Sequence, residues 1–174
     1  MRADARRNRE RIVAAALALF TERGPRASME DIASAAGLGV GTLYRHFPDR
    51  AALAEEIGIH ALGDLAAFCR ERLAEDGPPW EALHHVAEYC AGRPFALIKM
   101  LADDAGSGSP ERLALQHEAD ELLVRIAEAA QQEGTLRQDI TPREVVDLLS
   151  VVLCRPGTRA DDPLTRVTLD GLRA

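Results

Sequence analysis

Residues 28–53, SMEDIASAAGLGVGTLYRHFPDRAAL, decide the fold. Two short apolar stripes flank a glycine-bearing turn. Ser28 stands before the first stripe with Asp31 three residues on, the spacing at which a hydroxyl and a carboxylate cap a helix reciprocally. Met29, Ile32, Ala33 and Ala36 then recur at the helical period. Gly37 predicts the stop, because the residue just past a helix end adopts a left-handed backbone that glycine reaches cheaply. Leu38 and Gly39 lead into a second stripe of Val40, Leu43 and Phe47, spaced i, i+3 and i+7 and expected to pack inward. Pro48 closes that helix, and Asp49 is placed to cap the next. Two short helices meeting through such a turn make a helix-turn-helix. In that motif the first helix crosses the DNA backbone and the second enters the major groove.

With Val40, Leu43 and Phe47 turned inward, Gly41, Thr42, Tyr44 and Arg45 point outward and His46 lies at the edge. Arg45 suits a bidentate contact to a guanine edge. Thr42, Tyr44 and His46 suit phosphates, which position a protein without reading sequence. Gly41 lets the backbone come close. Arg50, at the start of the following helix, is placed to meet a phosphate near the helix N-terminal amides. The candidate DNA-contact set is Ser28, Gly39, Val40, Gly41, Thr42, Tyr44, Arg45, His46 and Arg50.

Outward from this motif the chain reads as all-helical. Ile12, Ala15, Ala16, Leu19 and Phe20 form one stripe of a helix over about 8–23, stopped at Gly24-Pro25. A long helix over about 49–75 carries two apolar seams, through Leu53, Ile57, Ala61, Leu65 and Phe68 and through Leu62, Leu65, Cys69 and Leu73. Further helices are expected over 80–91, 94–103, 110–133 and from Thr141-Pro142 to about 153, with a short last helix beyond Pro163. Gly106-Ser-Gly-Ser109 reads as a loop. The stretch Val145–Leu153 is apolar nearly all round, so it needs cover on most sides. The last helix carries Leu164, Val167, Thr168, Gly171 and Leu172 as one stripe.

Composition agrees. The chain has 174 residues, 47% of them hydrophobic but only 4% aromatic, and no alternating run of β-branched residues argues for a sheet. The net charge of −7 taken alone opposes a nucleic-acid partner. Residues 1–50, however, carry nine arginines against six acids, and residues 51–174 carry 12 basic against 22 acidic residues. Phosphate binding follows the local field, so the asymmetry removes the objection. The run Ile12–Phe20 is too short to span a bilayer and the N-terminus lacks a secretory pattern. Cys69, Cys90 and Cys154 form no paired motif, which fits reduced thiols in a cytoplasm. Arg2, Arg6, Arg7 and Arg9 are compatible with a minor-groove arm or a solvated, mobile one, and are not counted as sites.

The stretch 28–53, and above all Gly41-Thr-Leu-Tyr-Arg-His-Phe47, closely resembles the DNA-binding signature of the tetracycline-repressor (TetR) family, over about residues 8–55. Gly39 stands where the family often has a capping serine or threonine, and Asp49-Arg50 replaces a more usual Ser-Lys. Trp80-Glu-Ala-Leu83 and Glu133-Gly-Thr-Leu-Arg-Gln-Asp-Ile-Thr-Pro142 are similar to one TetR subgroup. The resemblance implies a helix-turn-helix DNA-binding domain, residues 1–50, followed by a helical-bundle domain, residues 51–174, for ligand binding and dimerisation. It also implies a homodimer through the helices near 142–154 and 163–173, and a repressor released from a near-palindromic double-stranded operator by a small, largely apolar ligand. Its ligand pocket falls among the middle helices, where the candidates are Phe68, Trp80, His84, Tyr89, Phe95 and Met100. Each has an ordinary alternative as core filler.

An enzyme is disfavoured. His84 and His85 are adjacent, about 100° apart on a helix, and converge poorly with Glu88 on a metal. No H-E-x-x-H, C-x-x-C or G-x-S-x-G pattern occurs, and no cofactor is expected. The other rivals are an activator with the same fold and a nonspecific helical DNA-binding protein without an inducer.

Overall fold

The computed structural model describes residues 2–23, 26–91, 93, 95, 108–155, 158–159 and 161–174. The described residues form eight helices: α1 (Arg2–Arg23), α2 (Met29–Ala35), α3 (Val40–His46), α4 (Arg50–Ala74), α5 (Pro79–Ala91), α6 (Pro110–Glu133), α7 (Pro142–Leu153) and α8 (Pro163–Leu172). The all-α expectation stands. The stop at Gly24-Pro25, the helix expected over 94–103 and the tip of the Gly-Ser loop lie outside the described residues, apart from isolated positions.

Local signals set most boundaries. The Ser28 hydroxyl accepts from the Asp31 amide at 3.0 Å while Asp31 Oδ2 accepts from the Ser28 amide at 3.1 Å, a complete capping box. Thr141 and Glu144 repeat the device at α7, with Pro142 in the first turn. Asp49 Oδ1 caps α4 through the Ala52 amide at 2.7 Å. Caps of this kind contribute about 1 kcal/mol each. Gly37 and Gly134 end α2 and α6 with φ of +64° and +83°, the first at the stop that Gly37 predicts.

α1 starts earlier than expected, at Arg2 rather than near Asn8. Residues 2–7 are good helix formers, and two pairs one turn apart brace the extension, Arg7–Asp4 at 2.9 Å and Arg6–Glu10 at 3.6 Å. The segment is helix, not a mobile arm.

One core runs through the molecule. Ile12, Ala16 and Phe20 of α1 meet Ile32 of α2, Leu43 of α3 and Leu53 and Ile57 of α4. The same cluster continues through Leu65 and Cys69 into Leu83 and Ala87 of α5, Ile126 and Ala130 of α6, and Val145 and Leu149 of α7. α4 is the element shared by both ends, which is why it needs two seams; it packs on α1, α5 and α6. Burial pushes the Cys69 thiol up to about 12 and Cys90 higher still. Both are free and buried, and both serve as core.

The chain end is tied down by a contact no periodicity announces. Leu136 and Arg173 form an isolated antiparallel bridge. The Arg137 amide donates to the Leu172 carbonyl and the Ala174 amide to the Thr135 carbonyl, both at 3.0 Å.

The last two helices divide their apolar residues between two faces. In α7, Val145, Val146, Leu149, Val152 and Leu153 are buried, whereas Leu148 and Val151 are exposed. In α8 the single expected stripe splits: Leu172 turns inward beside Thr165 and Leu169, which the stripe did not include, Thr168 is half-buried, and Leu164, Val167 and Gly171 turn out. The outward set repeats at i, i+3 and i+7, a helical face of its own.

Candidate nucleic-acid interface

α2 and α3 are held against α1 from below. Leu43 and Phe47 are almost completely buried, and this fixes the rotation of α3. Val40 departs from expectation. It is 41% exposed, because it opens the helix, where the chain is still leaving the turn and has not reached the core. The outward face of α3 therefore comprises Val40, Gly41, Tyr44 and Arg45, with Thr42 and His46 half-buried beside it.

Each residue on this face is placed by something specific. Gly39 is the N-cap of α3 with an extended backbone and no side-chain cap bond. A Cβ added at Gly41 would meet nothing within 4 Å, so nothing in the fold requires glycine there. Arg45 Nη2 donates to Thr42 Oγ1 at 2.9 Å. Tyr44 is 42% exposed.

Two expected contact residues are engaged inside the protein. The Ser28 hydroxyl donates to Asp31 Oδ2 at 2.8 Å within the capping box. Arg50 donates through Nη1 to the Ala27 carbonyl, and its guanidinium lies 4.9 Å from the Phe20 ring centroid. Burial holds its pKa below the ordinary arginine value. Arg50 pins the start of α4 to the α1–α2 connection.

Sequence reasoning missed two arginines that position the motif. Arg11 reaches from α1 to the turn, donating to the Ala36 carbonyl at 2.6 Å. A Cβ on Gly37 would sit 2.8 Å from that Arg11 Nη2, so left-handed backbone and close approach both favour glycine there. Arg9 forms a bidentate pair with Glu56 of α4 and stacks on Phe47, 4.6 Å from the ring centroid. No local period links positions 9, 47 and 56, and only the folded chain brings them together.

The ligand-pocket candidates fall into separate places. Phe68 of α4 and Tyr89 of α5 stack at 4.4 Å with 17° between planes, and Arg93 covers Tyr89 at 3.5 Å. Phe95 is buried in the core. Trp80 lies about 14 Å and His84 about 8 Å back along α5 from Tyr89, at roughly 1.5 Å per residue. They line an open surface cleft of about 330 Å³ with Glu81, His85, Leu169, Asp170 and Arg173. His84 is half-buried at the edge of α5, because Leu83 and Ala87 take the interior. Met100 lies outside the described residues.

Two family profiles match the chain. The profile of bacterial regulatory proteins of the tetR family matches residues 12–57. That of the SbtR-like transcriptional regulator C-terminal domain matches residues 81–174. An HTH-type transcriptional regulator of Staphylococcus aureus (strain USA300) is 52% identical over 54 residues, 30% of this chain and 29% of that protein. A TetR transcriptional regulator from Streptomyces coelicolor, SCO0520, superposes with a TM-score of 0.66 at 32% identity, over 95% of this chain and 98% of its own. A TetR regulatory protein from Mycobacterium vanbaalenii does so with a TM-score of 0.64 at 31% identity, over 99% of both chains. With its motif, its helical body and these relatives in agreement, the chain belongs to the TetR family of DNA-binding transcriptional regulators and is not an enzyme.

Proposed function

We propose that this regulator is a homodimeric repressor that reads a near-palindromic operator through α3 and releases it when a small, largely apolar molecule binds among the helices of residues 51–174. Residues 1–50 form the DNA-binding domain in this reading, and the protein acts in the cytoplasm. The observation that carries it is the outward face of α3. Its rotation is set by Leu43 and Phe47, and it offers one long cation, a half-covered hydroxyl, an exposed tyrosine and a position without a side chain. That set suits a helix inserted into the major groove, where its first residues meet base edges. Val40, exposed at the start of the helix, suits the C5-methyl of a thymine.

Dimerisation is supported by the outward faces of α7 and α8. Val151 and Val167 are 70% and 65% exposed, on helices whose opposite faces are already buried. A second copy covering both faces would make a four-helix contact about a two-fold axis, the commonest symmetry of soluble oligomers. Two copies of α3 then address half-sites about one helical turn apart, roughly 34–36 Å, or a multiple of it. For the ligand, the reading is supported by the aromatic pair Phe68–Tyr89 in the helical body, with Arg93 over Tyr89 as a polar handle.

The test is fluorescence anisotropy with DNA from the protein's own upstream region, a scrambled competitor and a salt titration, with Arg45→Ala in parallel. Tight binding that resists the competitor, and loses its sequence preference in the variant, supports the reading. Equal binding to scrambled DNA across the titration refutes sequence-specific recognition of that region.

A further inference from the structure

Thr42 and Arg45 lie one turn apart on α3, and the arginine donates to the threonine hydroxyl at 2.9 Å. We propose that Thr42 is a positioning residue for base readout: its oxygen holds the Arg45 guanidinium in the pose that reads guanine, while its own proton serves a backbone phosphate. This rests on the reading of α3 as the major-groove helix, and adds to it which residue makes Arg45 selective.

Arg45 is exposed on a long side chain, and among the described residues Thr42 alone holds its guanidinium by a hydrogen bond. An arginine left loose on a recognition helix meets phosphates and bases alike, since its planar fork matches both. Thr42 is β-branched, so its side chain has few rotamers, and it is half-buried. Its oxygen is therefore a stiff anchor. One of the five guanidinium N–H groups goes to Thr42, which leaves four, enough for the bidentate contact to guanine O6 and N7.

The hydroxyl has two roles at once. It accepts from Arg45 through a lone pair, and its single O–H stays free to donate. A phosphate taking that proton would polarise the hydroxyl and strengthen its hold on the guanidinium. Phosphate contacts set register and base contacts set sequence; here one oxygen atom joins them. Gly41, with open space at its missing Cβ, leaves room beside the pair for the DNA.

The experiment starts from a duplex library with a random core, selected on wild-type protein. Affinities are then measured by anisotropy for the selected duplex and for copies with each guanine pair changed in turn. Arg45→Ala identifies the pair it reads. Thr42→Val, which keeps shape and removes the hydroxyl, is expected to lose discrimination at that same pair by roughly ten-fold. Thr42→Ser is expected to retain most of it, and Thr42→Val with Arg45→Ala is expected to lose no more than Arg45→Ala alone. Thermal melting by circular dichroism confirms that each variant folds. If Thr42→Val weakens every duplex equally and leaves the ratios intact, Thr42 is a phosphate contact only and the proposal is overturned. If Arg45→Ala changes no ratio at any position, readout through Arg45 itself fails, and the proposal falls with it.

Discussion

Arg9 of α1 and Glu56 of α4 face each other in a two-pronged pair, Nε to Oε1 at 2.8 Å and Nη2 to Oε2 at 2.6 Å, with the arginine stacked on Phe47 at the end of α3. The next residue, Glu55, binds in the opposite direction. Its Oε1 accepts from the Ser109 amide at 2.8 Å, and its Oε2 lies 2.9 Å from Arg112 Nε at the start of α6. Two adjacent carboxylates on α4 thus tie it to the DNA-binding helices on one side and to the helical body on the other. Glu56→Gln is predicted to cost about 1 kcal/mol of stability, because Arg9 remains 43% exposed and solvent screens the pair. Thermal melting at low and high salt checks this, and the deficit should shrink in salt.

The same carboxylates predict a pH dependence. The Arg9 hydrogen bond holds Glu56 below its ordinary value of 4.5. Burial pushes Glu55 up, but the Ser109 hydroxyl and amide and the Arg112 guanidinium outweigh it and leave that group low as well. Lowered folded-state values mean that the stabilisation is complete above about 4.5 and is lost as pH falls through the folded-state values. Wild-type protein and Glu55→Gln/Glu56→Gln should differ at neutral pH, and the gap should close below pH 4.5 in a melting series.

Gly41→Ala separates folding from recognition. Alanine in a helix is favoured over glycine by roughly 0.5–1 kcal/mol, and the site is open. The variant should therefore melt higher than wild type. If the DNA backbone or base edges occupy that space, it should also bind the selected duplex at least several-fold more weakly. Paired melting and anisotropy measurements decide; a stabilised variant with unchanged affinity would show that DNA stays away from Gly41.

Val40 yields a chemical test on the DNA side. Exchanging thymines for uracil one at a time removes only the C5-methyl group. Losing a buried methyl contact corresponds to roughly four-fold in affinity. One thymine per half-site should show it with wild-type protein, and Val40→Ala should be insensitive at that position.

Much of this is legible in the sequence. The capping box at Ser28, the helix start at Thr141-Pro142, the stop at Gly37 and the first seam of α4 from Leu53 to Leu65 are local or periodic signals, and each stands where the sequence places it. Legibility failed where three-dimensional context overrides period. Val40 sits in the i, i+3, i+7 series yet opens its helix outside the core. Leu172 and Val167 share a written stripe but face opposite ways. Arg9 looks like a member of a basic arm and is a bracket for the motif, as is Arg11, which no local pattern singles out. The pocket candidates scatter because aromatic residues mark burial without saying what is buried beside them.

The outward faces of α7 and α8 predict that Val151→Glu/Val167→Glu is monomeric. Sedimentation velocity should show half the wild-type mass at micromolar concentration. Circular dichroism should remain helical, since both side chains are exposed in the single chain. Operator affinity should fall by roughly a hundred-fold, as linked half-site contacts become independent ones.

The central claim is that α3 reads base edges from the major groove. Replacing guanine with 7-deazaguanine in the selected duplex removes the N7 acceptor, which faces only that groove, and leaves pairing, backbone and minor groove in place. Anisotropy with wild-type protein is predicted to show a loss of about ten-fold at one guanine in each half-site, absent in Arg45→Ala. Affinity unchanged by every such replacement would contradict recognition of guanine through the major groove.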